Sequence, residues 1–297
     1  MNDIDSIHQL ELMLLDNFIQ VCDKHSIQWF ADSGTLLGAV RTGEMIPWDD
    51  DIDIVMLRPE YDKLLKVADE EFKYPFFFQT NENDRYTYCF SKLRFCNSAI
   101  FEINSHTKND YQAAFNKGIF IDIFVLDSVP DNKDEFDALQ MMLRYVYNYS
   151  SAKSYDKTYC KDIVKSKEFF KLLNWMLREN SKKYEKSEFI ANLYFNKSSK
   201  YRDVILFRED YSEFKEISFK GLTHKLKIPV GYERILSTWY GSDWKIPKKV
   251  ESCHSIDKAF YDTENSYIKY ENLSFEEYMK LYRSGIAVER AAVMSAT

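Results

Sequence analysis

Two aspartates separated by a single isoleucine, Asp51 and Asp53, open the apolar run IDIVML, seventeen residues after the glycine of a Ser33-Gly34-Thr35 turn. Side chains alternate faces along a strand, so both carboxylates point one way while Ile52, Ile54 and Met56 point the other. Neighbouring carboxylates repel, and the common remedies are a hard divalent cation with oxygen ligands or a shared proton. The small-residue turn, followed by the short helical run LLGAVR, directs backbone N–H groups outward in a way that suits a phosphate. A third acid, Asp122, lies in the middle of the apolar stretch GIFIDIFVLD. Burying it unpaired would cost roughly several kcal/mol, so Asp122 either accepts hydrogen bonds or joins a metal site.

The surrounding elements must bring these groups together. Residues 3–24 space Ile4, Ile7, Leu10, Leu14, Phe18 and Cys22 for an amphipathic helix, read as scaffolding. IQWFAD reads as a strand that ends at the Ser33-Gly34 turn. Thr42 to Pro47 form a loop to Trp48, Asp49 and Asp50, and Pro59 sits in the first turn of a helix over PEYDKLLKVADEEF. YPFFFQT, YTYCFSKLRFC, SAIFEI and GIFIDIFVLD read as successive strands. In SKLRF, Lys92 and Arg94 share a face that could hold a diphosphate, and Arg41 after the glycine turn is a further candidate. A surface salt bridge is the plain alternative for each.

From Asp131 to about Lys200 the spacing in EFDALQMMLRYVYNY, KEFFKLLNWML and EKSEFIANLYF is helical. Strand-like runs return in DVILF, KEISF and THKLKI, and VGYERILSTWYG reads as a helix stopped by Gly241. Tyr240, Asp243 and Trp244 beyond it either close a pocket or form an aromatic packing corner. The expectation is an α+β protein in three parts: a core over 1–130, a helical segment over 131–200 and a C-terminal lobe over 201–297.

Composition narrows the class. In 297 residues, 45% hydrophobic content is ample for a sizeable core, while the net charge of −7 disfavours nucleic acid as a partner. No apolar run approaches the roughly 20 residues of a membrane span, and the acidic, amphipathic N-terminus does not resemble a signal peptide. A cytoplasmic location is expected. The five cysteines (Cys22, Cys89, Cys96, Cys160, Cys253) form no CxxC pair, which argues against a disulfide framework or a zinc site. His25, His106, His224 and His254 share no spacing and receive no role. Between Lys215 and Lys249, eight Lys or Arg face three acids, a patch that suits an anionic substrate or simply a solvated face.

GTLLGAVRTGEMIPWDDDIDIVM resembles the signature of the LicD family, within the nucleotidyltransferase-fold superfamily, which includes bacterial phosphocholine transferases and fukutin-related phosphotransferases. RPEYDKLL, SKLRF, GIFIDIF and PVGYERILSTWYGSDWKIP resemble family segments in family order, so the likeness covers roughly residues 8–128 and 215–250. It implies a mixed nucleotidyltransferase-like sheet flanked by helices, with a helical insertion and a small C-terminal lobe. It also implies that Asp51, Asp53 and Asp122 hold Mg2+ or Mn2+, with Asp122 a ligand or the acceptor of a hydroxyl proton. Ser33, Gly34 and Thr35 would meet the donor phosphate, with Arg41, Lys92 and Arg94 as its cationic partners. Trp48 would stack on cytosine or close over a quaternary ammonium, with packing beneath the loop as the plain alternative; of Asp49 and Asp50, one would fix the loop or contact the donor and the other be solvated, neither ligating metal.

The implied reaction is attack of an alcohol on the phosphate of CDP-choline or another CDP-alcohol, releasing CMP. Its acceptor would be a glycan, a teichoic-acid precursor or a lipid-linked glycan, met in peripheral contact with the inner membrane surface. Two other readings stay open: a nucleotidyltransferase moving an NMP from an NTP, and a catalytically silent protein that binds CDP-alcohols or glycans. The complete carboxylate set weighs against the second.

Overall fold

The computed structural model describes residues 4–84, 89–102, 115–151, 167–193, 205–248 and 259–283, apart from 275, 278 and 282. The helices are α1 (Ile4–Lys24), α2 (Ser33–Arg41), α3 (Arg58–Glu71), α4 (Lys133–Ser151), α5 (Lys167–Lys183) and α6 (Tyr232–Tyr240). The strands are β1 (Phe30–Ala31), β2 (Asp53–Leu57), β3 (Phe76–Gln79), β4 (Ser91–Phe95), β5 (Ala99–Glu102), β6 (Ile119–Ser128), β7 (Phe189–Ala191), β8 (Leu206–Phe207), β9 (Phe214–Ile217), β10 (Leu226–Pro229) and β11 (Ala259–Asp262). The protein is α+β, as its mixture of periodicities predicts.

The ten residues of β6 are all buried and form the spine of the main sheet, ordered β1-β2-β6-β4-β3, with β7 and β8 joined to the far end of β6. β2 runs parallel to β6, whereas β4 pairs with it antiparallel. A strand covered on both faces reads as a nearly continuous apolar run, which is why an acid at Asp122 stands out. Helix α1 packs against β4 and β6 and α3 against β2 and β6. One continuous core joins them, with Leu14, Phe18, Trp29, Phe30, Ile54 and Ile121 each at most 1% exposed. Each such side chain contributes about 1.5–3 kcal/mol by leaving water.

A second core, built from Val129, Phe136, Phe170, Leu173, Leu177 and Ala191, packs α4 and α5 beside the end of β6. The helical reading of EKSEFIANLYF fails here. Phe189–Ala191 are a strand, because the backbone at Asp127 and Ser128 offers an edge to pair with and β8 pairs on the other side. β9 and β10 form a hairpin that brings β10 against β1, and β5 pairs with β11. The strand readings were too long at their ends: β1 keeps only two residues and β2 begins at Asp53, with Asp51 just before it.

Cys160, Cys253, His106, His254 and Lys249 lie outside the described residues, as do parts of YTYCFSKLRFC, SAIFEI, EKSEFIANLYF and DVILF. No helix among the described residues is long and apolar enough to cross a membrane. In the basic stretch, Lys220 pairs with Glu44, Lys227 with Asp23, Lys248 with Asp243, and Arg234 with Glu209 and Asp210. Much of its charge is therefore answered within the chain.

Candidate active site

The register of the sheet aligns three charges. Asp53 on β2 is the partner of Asp122 on β6, and Asp122 is the partner of Lys92 on β4. Strands lie about 4.8 Å apart, and partners in register share a face, so two acids and a lysine stand in a row. Lys92 Nζ reaches Asp122 Oδ1 at 2.5 Å and lies 3.2 Å from the centre of the Phe120 ring. The Asp122 N–H donates to the Ile52 carbonyl at 2.8 Å, fixing the segment that carries Asp51.

Asp51, Asp53 and Asp122 offer carboxylate oxygens that all lie within 4.8 Å of one another, and Asp49, Asp50 and Asp51 make a second such group. The Asp51 carboxyl is held well above the ordinary carboxylate range by burial, then by Asp122, Asp49 and Asp50, with Lys92 opposing. Asp53 is raised likewise by burial and then by Asp51 and Asp122. So many converging acids resist ionisation together unless positive charge joins them. The hard oxygen donors suit Mg2+ or Mn2+, which take carboxylates and keep several waters.

The glycine turn sits directly beside this group. Asp32, the residue before α2, donates its N–H to the Asp53 carbonyl at 3.0 Å, and the Asp53 N–H donates to Thr35 Oγ1 at 2.9 Å. The Thr35 hydroxyl thus anchors the start of β2. Ser33 adopts a left-handed φ of 47°, unusual for a non-glycine residue. At Gly34 the reason for glycine is direct: a Cβ there would lie 2.0 Å from Asp49 Oδ2. Burial pushes Asp32 up to about 6, and burial together with Asp50 pushes Asp49 up to about 6.

The remaining predicted residues fall in different places. Tyr240, at the end of α6, is 41% exposed, and its hydroxyl is raised by burial and then by Asp53, Asp32, Asp49 and Asp51. Trp48 is 41% exposed, on the loop that leads into the acids, while Trp244 is buried. Arg41 donates to the carbonyls of Trp244 at 2.9 Å and Ile246 at 2.6 Å, tying the C-terminal segment to α2. Arg94 is buried and donates to Gln79 Oε1 at 2.5 Å and the Gly118 carbonyl at 2.7 Å. Asp243 lies at the surface and pairs with Lys248.

Two residues of α1, a helix that its spacing alone presents as scaffolding, add to the surroundings of these acids. His8 Nε2 donates to the Asp49 carbonyl at 2.7 Å. Glu11 is 2% exposed, and its carboxyl is raised well above the ordinary range by burial and then by Asp51, Asp50, Asp49 and Asp122. The signal was present, since Glu11 interrupts the buried helical face of Ile7, Leu14 and Phe18. Asp32 was also passed over, although it is an acid placed where an apolar run meets the turn.

Residues 26–137 match the nucleotidyltransferase domain of the LicD/FKTN/FKRP family. Over 262 residues the chain is 25% identical to the lipopolysaccharide cholinephosphotransferase LicD of Haemophilus influenzae, covering 84% of this chain and 94% of that protein. The matched segment contains the glycine turn, Asp51, Asp53, Lys92 and Asp122 together with the strands that align them. Residues 26–137 of the chain thus form a nucleotidyltransferase domain of the LicD/FKTN/FKRP kind.

Proposed function

We propose that the protein is a metal-dependent phosphotransferase. It moves phosphocholine or a related phospho-alcohol from a CDP-linked donor to a hydroxyl of a cell-surface glycan, teichoic-acid precursor or glycolipid, releasing CMP. The observation that carries this reading is the convergence of Asp51, Asp53 and Asp122 within 4.8 Å beside the glycine turn. Similarity to a cholinephosphotransferase over most of both chains supports the choice of transferred group.

Asp51, Asp53 and Asp122 would hold Mg2+ or Mn2+. When bound, the cation offsets the charge of the donor diphosphate as the acceptor oxygen approaches. Lys92 is placed to keep Asp122 oriented and to add positive charge beside it. The acceptor oxygen forms its bond to phosphorus while the bond to the CMP oxygen breaks, and the hydroxyl proton passes to a carboxylate. Asp122, bonded to Lys92 beside the other two acids, is the proposed acceptor of that proton. Ser33 presents its backbone and hydroxyl at the turn, and Tyr240 borders the same acids from the C-terminal lobe. Trp48 offers a ring face to a cytosine or a quaternary ammonium.

A product assay tests the assignment. The protein is incubated with Mg2+, a lipopolysaccharide or glycolipid extract, and CDP-choline, CDP-ethanolamine, CDP-ribitol or CDP-glycerol in turn. CMP formation with one of these donors is expected. Pyrophosphate release from a nucleoside triphosphate, with no CMP from any CDP-alcohol, would contradict it.

A further inference from the structure

Glu11 is an acid that the reaction described above leaves unused. It lies on the buried face of α1 between Ile7 and Leu14, and its Oε2 is buried with no hydrogen-bond partner among the described residues. Helix α1 packs on β4 and β6, the strands that carry Lys92 and Asp122. One turn earlier His8 is bonded to the Asp49 carbonyl at 2.7 Å, so the face bearing Glu11 is turned toward the aspartate loop. A leucine or glutamine would fill the position without the cost of a buried, uncompensated carboxylate. Burial and then the carboxylates of Asp51, Asp50, Asp49 and Asp122 hold the Glu11 carboxyl well above the ordinary range.

We propose that Glu11 is the outer carboxylate of the divalent-cation site, accepting hydrogen bonds from water on a cation held by Asp51, Asp53 and Asp122 and thereby setting the affinity of that site. An outer place fits the geometry, because Glu11 is not in the group of oxygens that lie within 4.8 Å of one another. Partners of this kind orient ligands and bound water, and losing one typically weakens metal affinity by about 10- to 100-fold. Glu11 is thus a positioning residue. The inference rests on the metal-binding reading of the three aspartates.

The test is Mn2+ binding to the full chain, read by electron paramagnetic resonance, together with thermal unfolding in chelator. Wild type should bind Mn2+ and Asp53→Asn should lose it. Glu11→Gln should bind about 10- to 100-fold more weakly, while melting in chelator at or above the wild-type temperature. Wild-type affinity in Glu11→Gln would overturn the role of Glu11 and leave the aspartate site standing. Melting of Glu11→Gln well below wild type in chelator would overturn it too, by assigning the residue to the fold. Absence of Mn2+ binding by wild type would remove the metal-binding reading itself, and this inference with it.

Discussion

Asp53 and Asp122 are register partners across the parallel pairing of β2 and β6, and Lys92 stands on the other side of Asp122 in the same row. Lys92 offsets one carboxylate of a group that contains at least three. Lys92→Met should therefore destabilise the cation-free protein by about 3–5 kcal/mol, the usual cost of removing one partner from a buried pair. Urea unfolding checks this in chelator and in Mg2+, and the added cation should stabilise the variant more than the wild type.

The other aspartate of β6 behaves differently. Asp127 is an odd number of residues from Asp122 and so faces the opposite side, where Arg58 grips both of its oxygens at 2.7 Å. Asp127→Ala should cost about 3–5 kcal/mol by stranding a buried guanidinium. Turnover per folded molecule should survive at low temperature, whereas Asp122→Asn should remove turnover while the protein stays folded. Parallel activity and unfolding measurements on the two variants separate the roles.

The raised carboxyls give a signed pH dependence. Asp32 and Asp49 are each pushed up to about 6, against roughly 3.9 for an unfolded chain. The folded state binds these protons more tightly, so the contribution of these two groups to cation-free stability should fall as pH rises from about 4 to 6, by of order 2 kcal/mol per group, and the higher-lying carboxyls of Asp51, Asp53 and Glu11 should extend the decline above that. Asp16 and Asp262 are shifted downward, by hydrogen bonds that outweigh their burial, so their contributions are lost only below that window. Melting curves in chelator between pH 4.5 and 7.5 test the sign, and Mg2+ should flatten the slope.

Gly34 is constrained by Asp49 rather than by its own dihedrals. Gly34→Ala would place a methyl 2.0 Å from Asp49 Oδ2 and displace the Asp49 carboxylate from its place beside the turn. A stability cost of about 1–3 kcal/mol is expected. Turnover should drop by about 10²-fold, the scale of loss when reacting groups are misplaced by about an ångström. Thermal melting and steady-state kinetics on the same preparation measure both.

Arg41 links α2 to the segment after α6 through the carbonyls of Trp244 and Ile246. Its removal in Arg41→Ala should raise the donor KM more than it lowers kcat, because Tyr240 and its neighbours would no longer be held against the site. Limited proteolysis should cut faster between residues 241 and 248.

The carboxylate centre was legible because Asp51, Asp53 and Asp122 break apolar runs that otherwise read as strands, and a charge in such a run needs a reason. Glu11 breaks an apolar face in the same way. It went unread because the spacing of Ile7, Leu14 and Phe18 already accounted for α1 as an amphipathic helix. Arg41 and Arg94 show what spacing leaves out. Their types and faces suited a diphosphate, but both guanidiniums donate to backbone carbonyls supplied by distant segments, which one-dimensional spacing does not reveal. Phe189–Ala191 were read as helical because short apolar runs fit either period, and the choice was made by the open edge at the end of β6.

Asp51, Asp53 and Asp122 are proposed to support transfer of a phospho-alcohol from a CDP donor. The most direct measurement is CMP release from CDP-choline in Mg2+, with a lipopolysaccharide extract as acceptor, by wild type and by Asp53→Asn of matched melting temperature. Stoichiometric CMP and choline-modified acceptor from wild type, with turnover abolished in the variant, is the expected result. Undiminished CMP release by Asp53→Asn would contradict it.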